Sequence, residues 1–280
     1  MNGFLIIDKE KDWTSNDVVV KLRGILKTKK IGHTGTLDPL ATGVLVCAVN
    51  QATKLIEFLQ KSEKEYIATF IIGKTSDTYD STGKIEDVSD RKPLKKEIEK
   101  VLKKYTGEID QKPPLFSAIK IQGKKAYEIA RSGEYIELPK RRIYIKKIEI
   151  LTYKYPELKI RIICGSGTYI RSLGHDIGQD LKTGILMSDL RRVKAGKFSL
   201  KDAITIGKVS LKTPILWSKD LIDLPSVEIS EKNIDDLKNG KFIAPTEEIS
   251  EDIFLGVQKN LPVVILEKRG KLWKTKKLLI

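Results

Sequence analysis

The 280-residue chain carries 52 Lys and Arg against 37 Asp and Glu, a formal net charge of +15, with a pI near 9.5. Hydrophobic residues make up 40% of it, enough for a sizeable core, which excludes a disordered or collagenous chain. The positive excess favours a polyanionic partner, with solubility or lysine enrichment for heat stability as the plain alternatives.

A strand signal opens the chain in "GFLIIDK". Thr14, Ser15 and Asp17 read as a capping box, followed by Val18, Val19, Leu22, Ile25 and Leu26 on one helical face. A glycine-rich loop, "GHTGTLDPLATGVL" from Gly32 to Leu45, runs into an apolar strand over 44–49. A short helix follows in "ATKLIEFLQ". "KEYIATFIIG" then alternates like a half-buried strand, with Tyr66, Ala68, Phe70 and Ile72 on one face. "TSDTYDSTGK" reads as a polar loop. Pro93 opens an amphipathic helix carrying Leu94, Ile98, Val101, Leu102 and Tyr105.

Residues 112–147 hold ten Lys or Arg and three Glu, with Phe116 and Tyr127 interspersed. Two long strands are expected around Arg142–Tyr153 and Leu158–Cys164. A helix near Thr168 has Ile170, Leu173, Ile177 and Leu181 as its apolar stripe. After about Pro225 the composition shifts, with an acidic stretch over 228–252 and a basic finish, "EKRGKLWKTKKLLI". Strands outnumber helices and no βαβαβ rhythm is present, so the expected class is α+β. It is a mixed, largely antiparallel sheet with packed helices over 1–225, followed by a small β-rich domain over 226–280.

No apolar run approaches the ~18 residues needed to span a bilayer. The N-terminus lacks a basic n-region and a small-residue cleavage site. Cys47 and Cys164 lie in apolar surroundings and read as buried thiols of a reducing compartment. A cytoplasmic protein without membrane association is expected.

Familiar motifs fail on spacing. "GKT" at Gly73–Thr75 has Ala68 where a P-loop needs glycine. "CGSGTYI" has Ile170 in place of the third glycine of a dinucleotide fingerprint. "DTYDSTG" lacks the acids of an EF-hand loop. Two histidines, His33 and His175, give metal catalysis little support.

The glycine loop has two readings. A lone Asp-Pro is usually a turn device, and Gly32, Gly35 and Gly43 would supply unusual φ angles. Alternatively Asp38 is a carboxylate working on a sugar C1′, as in retaining glycosidases. A uracil leaving group carries its own charge, so a single carboxylate would suffice. Such a carboxylate in a dry site needs a positive partner.

The loop resembles the active-site motif of the tRNA pseudouridine-55 synthases, the TruB-type family. The resemblance continues, in the family's order, in "KEYIATFIIGKTSDTYDSTG", "QKPPLFSAIKIQGKKAYEIARSG", "GSGTYIRSLGHDIG" and "SDLRRVKAGKF". It implies a pseudouridine-synthase-like catalytic domain with a PUA-like C-terminal domain, and isomerisation of a uridine in the T-arm of tRNA. On it, Asp38 is the catalytic aspartate, Tyr66 the tyrosine stacked on the uracil, and Arg171 the arginine paired with the aspartate. His33, Tyr169 and Leu190 line the flipped nucleotide, and the 112–147 segment is the RNA-gripping insertion. No metal, cofactor or obligatory protein partner is implied, and a monomer is expected.

Where the family commonly reads Lys-Pro-x-Gly, this chain has Lys9, Glu10, Lys11 and Asp12, and a less rigid turn is expected there. Taken alone, Tyr66 and Leu190 could be core, Arg171 a solvated helix residue, and His175 structural. A tRNA-folding factor with secondary or no catalysis, and a guide-dependent relative, are the competing functions.

Overall fold

The computed structural model describes residues 2–117, 120–121, 124–125, 129 and 138–280. In chain order its elements are β1 (Gly3–Lys9), α1 (Ser15–Leu26), β2 (Ile31–His33), β3 (Thr42–Val49), α2 (Ile56–Gln60), β4 (Lys64–Ile72), β5 (Lys74–Ser76), β6 (Ile85–Asp87), α3 (Lys95–Lys104) and β7 (Gly107–Gln111). Then come β8 (Lys120–Ile121), β9 (Lys124–Lys125), β10 (Arg141–Lys154), β11 (Glu157–Cys164), α4 (Ile170–Leu181), β12 (Ile185–Ala195) and β13 (Phe198–Ser199). The chain continues with β14 (Ser226–Glu228), α5 (Glu231–Lys238), β15 (Ile253–Gln258), β16 (Leu261–Arg269) and β17 (Leu272–Leu278). Among the described residues, no helix is long and apolar enough to cross a membrane. The chain divides into two compact units, Met1–Pro39 with Val44–Lys61 and Lys197–Ile280, and Leu40–Gly43 with Ser62–Gly196.

In the first unit β1 is buried almost throughout and lies beside β3. Residues far along the chain pair with it: the Phe4 N–H donates to Leu216 O (2.7 Å) and the Leu216 N–H to Phe4 O (2.9 Å). Helix α1 begins as its sequence dictates. The Asp17 N–H donates to Thr14 Oγ1 (3.0 Å) and the Thr14 N–H to Asp17 Oδ2 (2.9 Å), closing the capping box. Val18, Val19, Leu22 and Leu26 form its buried face.

The C-terminal part of this unit has a sheet of its own, β14-β15-β16-β17, parallel at β14/β15 and antiparallel elsewhere. It also has its own core, including Ile229, Ile234, Phe254 and Trp273. The Trp273 ring meets Phe254 edge-on at 4.8 Å. This is the small β-rich domain that the sequence predicts. Lys54 Nζ donates to Leu278 O (2.6 Å), and Lys277 Nζ reaches Lys54 O (3.2 Å) and the Glu57 carboxylate.

The second unit is built on the strand order β12-β4-β11-β10-β7, antiparallel throughout. The opening residues of β3 join β12 in parallel, Thr42 opposite Arg191 and Gly43 opposite Arg192. The sheet is therefore mixed and largely antiparallel, as expected. Strand β4 alternates buried and half-buried residues without a break, the pattern of a strand with one covered face. Helix α4 covers that face closely. A Cβ on Gly174 would lie 2.3 Å from Phe70 Cε1, so only glycine permits this approach.

Three sequence expectations need correction. Leu94 sits at the N-cap of α3 and is 70% exposed, so it lies outside the buried stripe of Ile98, Val101 and Leu102. "TSDTYDSTGK" is bracketed by the hairpin strands β5 and β6. Of the three loop glycines, only Gly43 has positive φ (+100°), and its backbone packs against the Arg192 carbonyl. Phe116 lies among the described residues, whereas Tyr127 and much of the 112–147 segment lie outside them.

Candidate active site

The loop after β2 carries Asp38, which is half-buried. Its backbone is gripped from two sides within the first unit. Lys9 is 1% exposed, and its ammonium donates to the carbonyls of Trp13 (2.6 Å), Glu10 (2.9 Å) and Pro39 (3.3 Å). Ser15 Oγ accepts from the Leu37 N–H (2.8 Å) and donates to Leu37 O (3.1 Å). The Asp12 N–H donates to Pro39 O (2.9 Å). Both residues flanking Asp38 are thus tied to the Lys9–Ser15 turn. Asp12 adopts φ +67°, the left-handed conformation that glycine takes readily. His33 ends β2, half-buried and opposite Cys47.

In the second unit Tyr66 lies on the covered face of β4, 8% exposed. Its antiparallel neighbour on β12 is Arg192, and Leu190 stands opposite Ala68. Tyr66, Ala68, Leu190 and Arg192 therefore share one face. The same face holds buried positive charge: burial, with Arg192 beside it, pushes Lys64 down to about 8.

Helix α4 lies on this face through Gly174 and brings Arg171, one turn earlier. Arg171 is 5% exposed. Its Nε stands 3.6 Å from Asp80 Oδ2, and its terminal nitrogens donate to Thr78 O (3.1 Å) and Phe116 O (3.0 Å). The other Asp80 oxygen, Oδ1, accepts from Thr78 Oγ1 (2.8 Å), the Thr82 N–H (2.9 Å) and Thr82 Oγ1 (2.5 Å). One carboxylate oxygen is thus anchored to its own loop and the other faces the guanidinium. Tyr169, the N-cap of α4, is clamped by the buried Gln111. The Tyr169 N–H donates to Gln111 Oε1 (2.8 Å) and Gln111 Nε2 donates to Tyr169 O (3.0 Å). Farther along α4, burial beside Asp180 raises Asp176 to about 6, against the pull of Lys140.

The second unit thus carries Tyr66 on β4 and Leu190 on β12, on one sheet face, and Tyr169 and Arg171 at the start of α4. Asp38 and His33 belong to the first unit. A family model described as "TruB family pseudouridylate synthase (N terminal domain)" matches residues 23–170. The tRNA pseudouridine synthase B of Streptococcus sanguinis is 38% identical over 297 aligned positions, spanning 100% of both chains.

The chain belongs to the TruB family of pseudouridylate synthases.

A second TruB relative, the tRNA pseudouridine synthase B of Clostridium kluyveri, is 39% identical over 90% of this chain and 89% of its own. Among solved structures, that of a Cbf5-Nop10-Gar1 complex aligns with a TM-score of 0.73 at 26% identity, over 99% of this chain and 85% of that one. The fold is accordingly that of the pseudouridine synthases, with a strand-rich C-terminal domain.

Sequence reasoning missed two residues of the second unit, Asp80 and Gln111, which hold Arg171 and Tyr169. Asp80 was legible in principle, because Thr-x-Asp-x-Thr is an Asx and hydroxyl turn pattern. Gln111 carries no local signal, since its partner lies 58 residues away.

Proposed function

We propose that this protein converts uridine-55 in the T-arm of tRNA to pseudouridine. The end-to-end match to a tRNA pseudouridine synthase B carries the reading. The target nucleotide must leave the RNA stack, because neither its glycosidic bond nor its C5 is accessible inside a folded arm. Asp38 supplies the carboxylate that acts on the ribose, by attack at C1′ or by taking the C2′ proton. The N1–C1′ bond breaks and uracil leaves with the electron pair, so no second carboxylic acid is needed. Tyr66 holds the detached ring by stacking. The ring turns and C5 bonds to C1′ as the Asp38–C1′ bond breaks or, in the other route, as Asp38 returns the proton to C2′; N1 gains a proton, and the C5 proton leaves through Tyr66, whose phenol oxygen takes it as the hydroxyl proton passes to water. Arg171 supplies the balancing positive charge, held in place by Asp80 and two carbonyls.

His33, Tyr169 and Leu190 line the nucleotide. The basic 112–147 segment grips phosphates, giving salt-dependent affinity. The catalytic domain spans 1–225 and a PUA-like domain 226–280. The chain works in the cytoplasm as a monomer, without metal, cofactor, guide RNA or protein partner.

Tritium release tests this. Uridine labelled at C5 in a T-arm stem-loop is given to the purified protein in a chelator. Release by the wild type and none by Asp38→Asn is the expected result. Binding without release by either protein would overturn the stand-alone enzyme in favour of a tRNA-folding factor.

A further inference from the structure

The loop that holds Arg171 contains an unusual residue. Tyr79 lies between Thr78, whose carbonyl accepts from Arg171, and Asp80, whose carboxylate pairs with it. Its φ is +63°, a left-handed conformation that an aromatic residue adopts only when its surroundings hold it there. Two contacts do so. The Met187 N–H of β12 donates to Tyr79 O (3.0 Å), and two residues on the bond is returned, the Ser81 N–H donating to Met187 O (2.9 Å). On the other side the Tyr79 ring lies flat on the His175 imidazole, centroids 3.9 Å apart and planes within 17°.

His175 is four residues beyond Arg171 on α4, so both side chains leave the same helix face one turn apart. Helix α4 therefore meets this loop twice, through the guanidinium and through a stacked ring. Burial lowers the His175 pKa from its ordinary value, which favours the neutral imidazole in the stack. No part of this arrangement is needed to bury the core, since Tyr79 and His175 are both only half-buried.

We propose that the Tyr79–His175 stack is a positioning element for Arg171. It locks the Ser76–Thr82 loop so that the Thr78 carbonyl and the Asp80 carboxylate meet the guanidinium together. The stack acts on turnover through Arg171 and touches no RNA. This inference rests on the reading of Arg171 as part of the isomerase site.

The test is steady-state tritium release from the C5-labelled stem-loop, with RNA binding measured alongside. His175→Ala is expected to lower kcat about ten-fold while KM and binding stay at wild-type values. His175→Phe, which keeps a stacking face but loses both ring nitrogens, is expected to restore kcat. In an Asp80→Asn background, His175→Ala is expected to add little further loss, because both changes act through one guanidinium. Wild-type kcat in His175→Ala, failure of His175→Phe to restore it, or a fully multiplicative loss in the double variant would each overturn the proposal.

The Arg171 Nε–H resonance separates this failure from failure of the functional reading. It is expected to shift in His175→Ala and to return in His175→Phe, whether or not tritium is released. No tritium release by the wild type, with these shifts present in the variants, would overturn the isomerase reading and leave the positioning of Arg171 standing. An unshifted resonance in His175→Ala would overturn the stack.

Discussion

The loop bearing Asp38 is fastened through its backbone, whereas Arg171 is fastened through its own side chain. On the first, Lys9 and Ser15 grip the carbonyls and N–H groups on either side of the aspartate. On the second, a carboxylate and two carbonyls take the guanidinium itself. The chemistry explains the contrast. On the proposed function, the carboxylate that acts on the sugar is presented by a rigid main chain. A cation that must supply charge is held where it is wanted by direct, water-excluded contacts.

Removing the charge from the second clamp has the largest expected effect. Asp80→Asn keeps an oxygen for Thr78 and Thr82 but removes the Asp80 charge from beside the buried guanidinium. A loss of about 3 kcal/mol is expected, read as a fall in kcat of roughly a hundred-fold together with a lower urea midpoint. Lys9→Met attacks the first clamp. It strips the ammonium from three carbonyls and is expected to lower stability by about 2 kcal/mol in urea titrations, with kcat falling as the Asp38 loop loosens.

Asp176→Asn probes α4 away from the guanidinium. Its pKa is raised to about 6 from 3.8, so the folded protein binds this proton more tightly than the unfolded chain. That contribution is full below 3.8 and is lost as pH rises to about 6. The variant is therefore expected to be more stable than wild type at pH 7, by roughly 1 kcal/mol after screening, and indistinguishable near pH 3.5. Urea titrations at the two pH values check this. Asp12→Gly relieves the left-handed residue in the Lys9–Ser15 turn. A gain below about 1 kcal/mol is expected in thermal melts, with unchanged activity.

Much of the fold was legible because its elements announce themselves locally. The α1 capping box, the alternation of β4 and the stripe of Ile170, Leu173, Ile177 and Leu181 all occur in the structure as read. Strand β12 was not read as a strand, although it carries Leu190 and Arg192 beside β4. Its irregularities between Met187 and Asp189 and between Arg192 and Lys194 break the two-residue period that would have marked it. Asp38 stood out in the loop itself, whereas Tyr66, Tyr169, Arg171, Leu190 and His33 were named as candidates only through the family resemblance. Tyr66 and Leu190 look like core because they are nearly buried, and burial is what a site that excludes water requires. Asp80 is readable locally only as a turn residue; its pairing with Arg171, like that of Gln111 with Tyr169, forms only after the chain has folded.

The two units also differ in how they are cut from the chain. The second is almost one continuous run, Ser62–Gly196, whereas the first joins Met1–Pro39 and Val44–Lys61 to Lys197–Ile280. During synthesis the run bearing Tyr66 and Arg171 can form most of its contacts as soon as it has left the ribosome. The unit bearing Asp38 must wait: β1 needs Leu216 as a neighbour, and Lys54 needs the Leu278 carbonyl. Closing such long loops is slow. Asp38 and the residues that clamp its loop are made early, yet the unit that carries them closes only when the end of the chain has arrived.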